Sequence, residues 1–214
     1  MDHVDIMNHL IEKYNYNSYL EIGLGTGESY LKVQCRHKES VDPYEGTFDR
    51  NNSQDVSEFV EKNLLTHKMT SDEFFETAGK DKKWDIIFID GLHTEEQVDK
   101  DILNSLKHLN PGGKIVVHDC LPVTKEHQSD ASERPIGTWN GTVWKSIPKL
   151  SLMGINYFTV DTDTGCCIID YCEHTNNLKL PAPADYNYDT VFGSYYLKCI
   201  LFRIISTETF YSIY

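Results

Sequence analysis

The chain predicts an α/β fold: a doubly wound, mostly parallel sheet flanked by helices, with an antiparallel hairpin towards its C-terminal end. Three observations predict it. Tyr19, Leu20 and Ile22 make a short apolar run that opens directly into Gly23-Leu24-Gly25-Thr26-Gly27, a strand feeding a glycine turn. Residues 84–90 and 114–119 are two further buried-strand runs, each ending on an aspartate, with helical spacing at Val98, Ile102, Leu106 and Leu109 between them. Residues 157–160 and 166–169 flank the turn sequence Asp-Thr-Asp-Thr-Gly, the pattern of a hairpin. Strands alternating with helices build a parallel sheet, whose ligands sit beyond the carboxyl ends of the strands. Gly23, Asp42, Asp72, Asp90, His93, His118 and Asp119 all fall on that edge.

Taken in order, the chain opens with an amphipathic helix marked by Ile6, Leu10, Ile11 and Tyr14. After the glycine turn, Tyr30, Leu31 and Val33 predict a short helix, and Ser40-Val41-Asp42-Pro43 the end of a second strand. Residues 45–57 are polar and read as a flexible connection. Val56, Phe59, Val60 and Leu64 share one helix face, and a brief strand follows over 65–69. Ser71-Asp72-Glu73-Phe74-Phe75 reads as an N-cap leading into a helix. After the strand over 84–90, Gly91-Leu92-His93 turns the chain and Thr94 with Gln97 forms a capping box. That helix runs to a stop at Asn110-Pro111-Gly112-Gly113. The polar stretch from Pro122 onwards reads as a lid or acceptor loop over about 121–145, leading into a helix. A tyrosine-rich helical tail fills about 175–214, with helical pieces over 191–205.

Composition sets further bounds. The 214 residues suit one domain over 1–214, with ample length for a full core and no internal repeat. A formal charge of −13 argues against a nucleic-acid partner, which favours Lys and Arg patches. No run has the length and apolarity of a membrane span. The opening Met1-Asp2-His3-Val4-Asp5 lacks the basic start and apolar core of a signal peptide. Six cysteines without a Cys-x-x-Cys pair read as reduced, packed thiols, which points to the cytoplasm.

The glycine turn carries the first chemical signal. Its glycines permit positive φ and close approach of backbone to a ligand. Glu21 lies inside the strand, where an unpartnered carboxylate is costly, so it needs a fixed partner. Glu28 stands where the dinucleotide pattern Gly-x-Gly-x-x-Gly places its last glycine. That departure favours S-adenosylmethionine over a nicotinamide cofactor. Asp42, nineteen residues after Gly23, stands where α/β nucleotide folds place a ribose-binding carboxylate; a turn aspartate before Pro43 is the plainer reading. Ser71 and Asp72 fit either a cap or an adenine contact. Trp139 and Trp144, beside Asn140 and Gly141, fit either an acceptor-stacking element or packing under a loop.

These motifs together are similar to a known family. Glu-Ile-Gly-Leu-Gly-Thr-Gly, Val41-Asp42-Pro43, Phe88-Ile89-Asp90-Gly91-Leu92-His93 and Asn110-Pro111-Gly112-Gly113 resemble a class I S-adenosylmethionine-dependent methyltransferase, with its Rossmann-like sheet. Ser71-Asp72-Glu73-Phe74-Phe75, Val117-His118-Asp119-Cys120, residues 139–145 and residues 161–166 resemble, more narrowly, the small sugar and glycan O-methyltransferases. The resemblance implies that Glu21, Gly23, Gly25 and Gly27 line the methionine and ribose parts of the cofactor. It implies Asp42 on the ribose, Ser71 and Asp72 near adenine, and Asp90 near the methionine end. Some related enzymes hold magnesium on carboxylates at the ends of the fourth and fifth strands, here Asp90 and Asp119. His118 replaces a carboxylate of that pattern, and imidazole is a poorer ligand for magnesium or another hard divalent ion.

The reaction so implied is methyl transfer to a sugar or glycan hydroxyl, by in-line attack with removal of the hydroxyl proton. His93 is the first candidate base, against a plain reading as a surface or helix-start imidazole. His118 is the second, with Asp90 and Asp119 as orienting or metal-binding groups. The rival readings are a catechol-type or other small-molecule O-methyltransferase, a non-catalytic cofactor-binding partner subunit, and a nicotinamide dehydrogenase. A homo-oligomer or a neighbouring glycosyltransferase is the expected partner.

Overall fold

The computed structural model describes residues 1–43, 60–173, 181 and 186–214. The expected polar connection over 45–57, and Val56 and Phe59 of the helix face after it, lie outside the described residues. So does part of the tail.

The first element is helix α1 (His3–Tyr14), whose Asp2 cap and Asp5 exchange side-chain and backbone hydrogen bonds. Val4, Ile6, Met7, Leu10 and Ile11 face inwards, while Tyr14 is left largely exposed. Strand β1 (Ser18–Ile22) runs into the glycine turn, helix α2 (Glu28–Lys32) and strand β2 (His37–Val41). Leu31 faces solvent; Tyr30 and the buried Val33 pack against the α1 side. The strand expected over 65–69 is reduced to one parallel bridge, His67 to Val41, beside β2. Thr70, not Ser71, caps helix α3 (Ser71–Glu76) by accepting from the Glu73 N–H.

Strand β3 (Trp84–Ile89), helix α4 (Glu95–Lys107) and strand β4 (Leu109–Val117) form the next unit. The helix ends before the Asn-Pro-Gly-Gly sequence, which lies inside β4. Leu109 is drawn into the strand because it is fully buried opposite Trp84, and Asn110 donates to Asp85 Oδ1 at 2.8 Å. The register shifts across this segment, where a Cβ on Gly113 would stand 2.6 Å from the Asp85 carbonyl.

The expected capping box at the start of α4 does not form. Thr94 is the cap residue but makes no side-chain cap bond. Gln97 instead donates to Ser71, Asp72 and Asp101, because α3 packs within its reach. Thr142 Oγ1 supplies the missing acceptor for the Glu95 N–H at 2.7 Å.

Between β4 and the hairpin run three short 3-10 turns, at Glu126–Gln128, Ala131–Glu133 and Val143–Lys145, and helix α5 (Ile147–Leu152). The hairpin is present as β5 (Tyr157–Val160) and β6 (Cys166–Asp170). The tail supplies α6 (Tyr188–Phe192), α7 (Tyr195–Phe202) and α8 (Thr207–Ile213). It also supplies a two-residue strand β7 (Ile204–Ile205), parallel to β5, where the sequence reads as helix.

The sheet order is β2-β1-β3-β4-β6-β5-β7. β2, β1, β3 and β4 are parallel, and β6 enters antiparallel between β4 and β5. Alternate residues feed two layers, as strand pleating requires. Tyr19, Ile86, Phe88 and Val116 meet α1 and α8 on one face; Leu20, Ile87, Ile89 and Val117 meet α4 and the residues around Trp144 on the other. The fold is Rossmann-like and mostly parallel, with the expected antiparallel hairpin.

Candidate active site

The carboxyl edge of β1, β2, β3 and β4 gathers the candidate residues. In the glycine turn the three glycines have different duties. A Cβ on Gly23 (φ +88°) would stand 2.2 Å from the Asp90 carbonyl, so glycine lets the β1 and β3 loops touch. A Cβ on Gly27 would strike Leu64 at 2.5 Å. Only at Gly25 does no atom of the described residues come within 4 Å of that position. Asp42 Oδ2 accepts from the Leu24 N–H at 2.8 Å, fastening the turn to the end of β2.

Glu21 has the partner its burial demands: the Tyr19 hydroxyl donates to Oε2. Burial pushes its carboxyl up to about 8, against the opposing pull of that hydrogen bond, so it is largely protonated at neutral pH. Ser71 is buried and donates to Asp101 Oδ1 at 2.6 Å. Asp72 stays 42 % exposed beside Lys100, with Oδ1 bonded to Gln97.

At the ends of β3 and β4 two imidazoles alternate with two carboxylates. Asp90 Oδ1 lies 3.3 Å from both His93 Nε2 and His118 Nδ1. His93 Nδ1 lies 3.2 Å from Asp119 Oδ2 and 3.0 Å from the Trp139 carbonyl. A carbonyl only accepts, so this contact puts a proton on Nδ1. The His93 ring also stacks on Trp139, with centroids 5.1 Å apart at 16°. Asp119, itself at φ +61°, accepts at Oδ1 from the Asn140 amide and from Thr164 Oγ1.

The charges follow from these contacts. Burial alone would raise Asp90; the charge of His118, then the hydrogen bonds from His118 and His93, hold it well below the usual carboxylate range. Burial alone would lower His93; its bond to Asp90, the charges of Asp90 and Asp119 and the Trp139 carbonyl raise it instead. The charge of Asp90 and the nearness of Asp163 raise His118 further. The site thus sets the Asp90 carboxylate between two imidazoles, and each side favours the charged form of the other.

Several participants escape a sequence reading. His3, the first residue of α1, stacks on Phe88 and lies against His118, with centroids 5.3 and 4.7 Å away. Its Nδ1 is 2.5 Å from Asp163 Oδ2, and Asp163 Oδ2 is 3.4 Å from His118 Nε2. Asn140 lies at the protein interior and reaches Asp119 from the loop. The two tryptophans divide: Trp144 is wholly buried in the core, whereas Trp139 is half-buried against His93.

Residues 20–120 match a protein-family model described as a methyltransferase domain. No curated protein matches the chain. Among solved structures it is similar to a candidate caffeoyl-CoA O-methyltransferase from Staphylococcus aureus, at 16 % identity and a TM-score of 0.56, covering 79 % of this chain and 82 % of that one. It is also similar to a candidate O-methyltransferase from Klebsiella pneumoniae, at 16 % identity and a TM-score of 0.52, covering 78 % and 79 %. An O-methyltransferase from Bacillus cereus in complex with SAH aligns at 14 % identity and a TM-score of 0.53, over 79 % and 80 %. At these identities the likeness is one of fold.

Proposed function

We propose that this chain is a class I methyltransferase that moves the methyl group of S-adenosylmethionine to an oxygen of a small acceptor, with a sugar or glycan hydroxyl as the acceptor class; the match of residues 20–120 and the fold support the reading. The observation that carries the reading is convergence. The glycine turn, Asp42 and the His93–Asp90–His118–Asp119 array all stand on one edge of the parallel strands.

The cofactor supplies a methyl group already activated on its sulfonium. The chain's own residues bind and align. Gly25 offers the approach that a side chain would obstruct, and Asp42, whose Oδ2 holds the turn, is the carboxylate at the end of β2 assigned to the ribose hydroxyls. Glu21, Gly23 and Gly27 shape the floor. Ser71 acts only indirectly, since its hydroxyl is bonded to Asp101; Asp72 is the group of that pair left to face adenine.

Proton removal falls to His93. With Nδ1–H held by the Trp139 carbonyl and Asp119, the neutral ring carries its lone pair on Nε2. Nε2 takes the acceptor proton, and Asp90 and Asp119 stabilise the imidazolium that results. His118 offsets the charge of Asp90. Trp139 stacks on the His93 ring and holds its plane, with the Arg134 guanidinium 4.9 Å from the indole centroid. Asp90 and Asp119 suit magnesium poorly, since each already faces an imidazole and the third donor in reach is a nitrogen of His118. No step here is routed through a metal. Among the described residues no helix is long and apolar enough to cross a membrane. All six cysteines are free, which fits action in the cytoplasm on a sugar or glycan acceptor, as a homo-oligomer or beside a glycosyltransferase.

The test is transfer of labelled methyl groups to matched panels of sugars, nucleotide sugars and catechols. Transfer to sugar hydroxyls is expected. Transfer to catechols alone overturns the acceptor class. Tight cofactor binding without transfer to any acceptor makes the chain a binding subunit.

A further inference from the structure

A second cluster lies behind the array, and it is separate from the groups given a role in methyl transfer except at His118. We propose that His3, His118 and Asp163 form a binding site for a borderline divalent transition-metal ion, with zinc as its type. The three residues come from the first turn of α1, the end of β4 and the β5–β6 turn. One ligand atom from each lies within 4.8 Å of the others.

The donor set is the first argument. Two imidazoles and one carboxylate suit zinc and neighbouring ions, with water completing the coordination, whereas magnesium and calcium prefer all-oxygen sites. Orientation is the second. The outer nitrogen of each ring is already engaged: His118 Nδ1 with Asp90 Oδ1 at 3.3 Å, and His3 Nε2 with Ser29 Oγ at 2.7 Å. This is the outer support that metal-ligating histidines carry. It leaves His118 Nε2 and His3 Nδ1 turned towards the same oxygen, Asp163 Oδ2.

The third argument is an orphan. His118 Nε2 is buried and has no hydrogen-bond partner among the described residues, although it faces Asp163 at 3.4 Å. That spacing matches the roughly 3.3 Å between two ligands on a tetrahedral zinc with bonds of about 2.0–2.1 Å. His3 Nδ1 stands 2.5 Å from the same oxygen, in hydrogen-bond contact through a proton between the two. An ion replaces that proton when His3 backs off by less than about 1 Å. Once bound, the ion ties α1 to the sheet edge and fixes the His118 Nδ1–H on Asp90.

The test uses untagged, chelator-stripped full-length protein and zinc chloride, read by titration calorimetry and by the visible spectrum after cobalt substitution. One equivalent is expected to bind. His3→Gln and Asp163→Asn should each weaken binding by more than about a hundredfold, and Ser29→Ala by about tenfold. Asparagine tolerates the left-handed backbone at residue 163 (φ +49°), so that variant keeps the turn. Asp119→Asn should leave zinc affinity unchanged. No zinc binding by the wild type overturns the proposal, as does wild-type affinity in His3→Gln. Loss in Asp119→Asn with retention in His3→Gln moves the ion to Asp90, His118 and Asp119 and equally overturns it. Loss of zinc binding at His3, His118 and Asp163 leaves the proposed methyl transfer standing, since labelled methyl transfer is measured separately.

Discussion

At the scale of single residues, the site turns on which nitrogen of His93 carries a proton. The Trp139 carbonyl decides this, since it accepts only from Nδ1–H. The price of that arrangement is a raised affinity for the second proton, because Asp90 and Asp119 both favour the imidazolium. The base form therefore appears only above the ordinary imidazole value of about 6.5. Expected is a kcat/KM that climbs with pH through an inflection above that value. Asp119→Asn should move the inflection down, and His93→Ala should abolish it while lowering turnover by about two to four orders of magnitude. An unchanged profile in His93→Ala would transfer the proton to another group. Linkage runs the opposite way for stability: the ion-pair contribution is full below the ordinary imidazole range and fades as pH rises through the raised value.

At the scale of elements, the start of α4 is completed from far along the chain. Thr94 makes no side-chain cap bond; Thr142 Oγ1 accepts from the Glu95 N–H, and the Thr142 N–H donates to the His93 carbonyl at 2.9 Å. A Cβ on the neighbouring Gly141 would stand 2.0 Å from that carbonyl, so the loop passes as close as backbone allows. The same loop thus caps the helix, sets the His93 backbone and presents the Trp139 carbonyl. Thr142→Val keeps the shape and removes the acceptor. It should cost about 1 kcal/mol in urea denaturation, the usual worth of a lost N-cap. Unchanged stability would mean that water or Thr94 takes over the Glu95 N–H.

At the scale of the whole molecule, cofactor binding should stiffen an edge assembled from four parallel strands. S-adenosylhomocysteine at a hundred times its Kd should add about 2.7 kcal/mol to unfolding stability. Asp42→Asn retains an acceptor for the Leu24 N–H but loses the charge that the proposed site sets against ribose. It should weaken the ligand by on the order of 10–100-fold, in line with the ~1.5–3 kcal/mol of hydrogen bonds to charged groups. Equal ligand-induced shifts in the wild type and Asp42→Asn would remove Asp42 from the site.

The parallel units, the hairpin, the glycine turn and the carboxyl-edge positions of Asp42, Asp90, His93, His118 and Asp119 were legible in the residues alone. These follow from apolar periodicity and from residues adjacent in the chain, which set strand ends locally. Local signals misled where a distant partner outbid them. Gln97 turned to Ser71 and Asp101, and Leu109 left its helix for Trp84. The meeting of His3 with Asp163, 160 residues away, came from packing. That meeting depends on β6 entering antiparallel beside β4, which folds the β5–β6 turn onto the end of β4, with Leu121 N–H bonded to the Thr164 carbonyl at 2.7 Å. Strand order, tautomer and side-chain partner are properties of the packed chain, because each is fixed by groups that sequence spacing leaves unrelated.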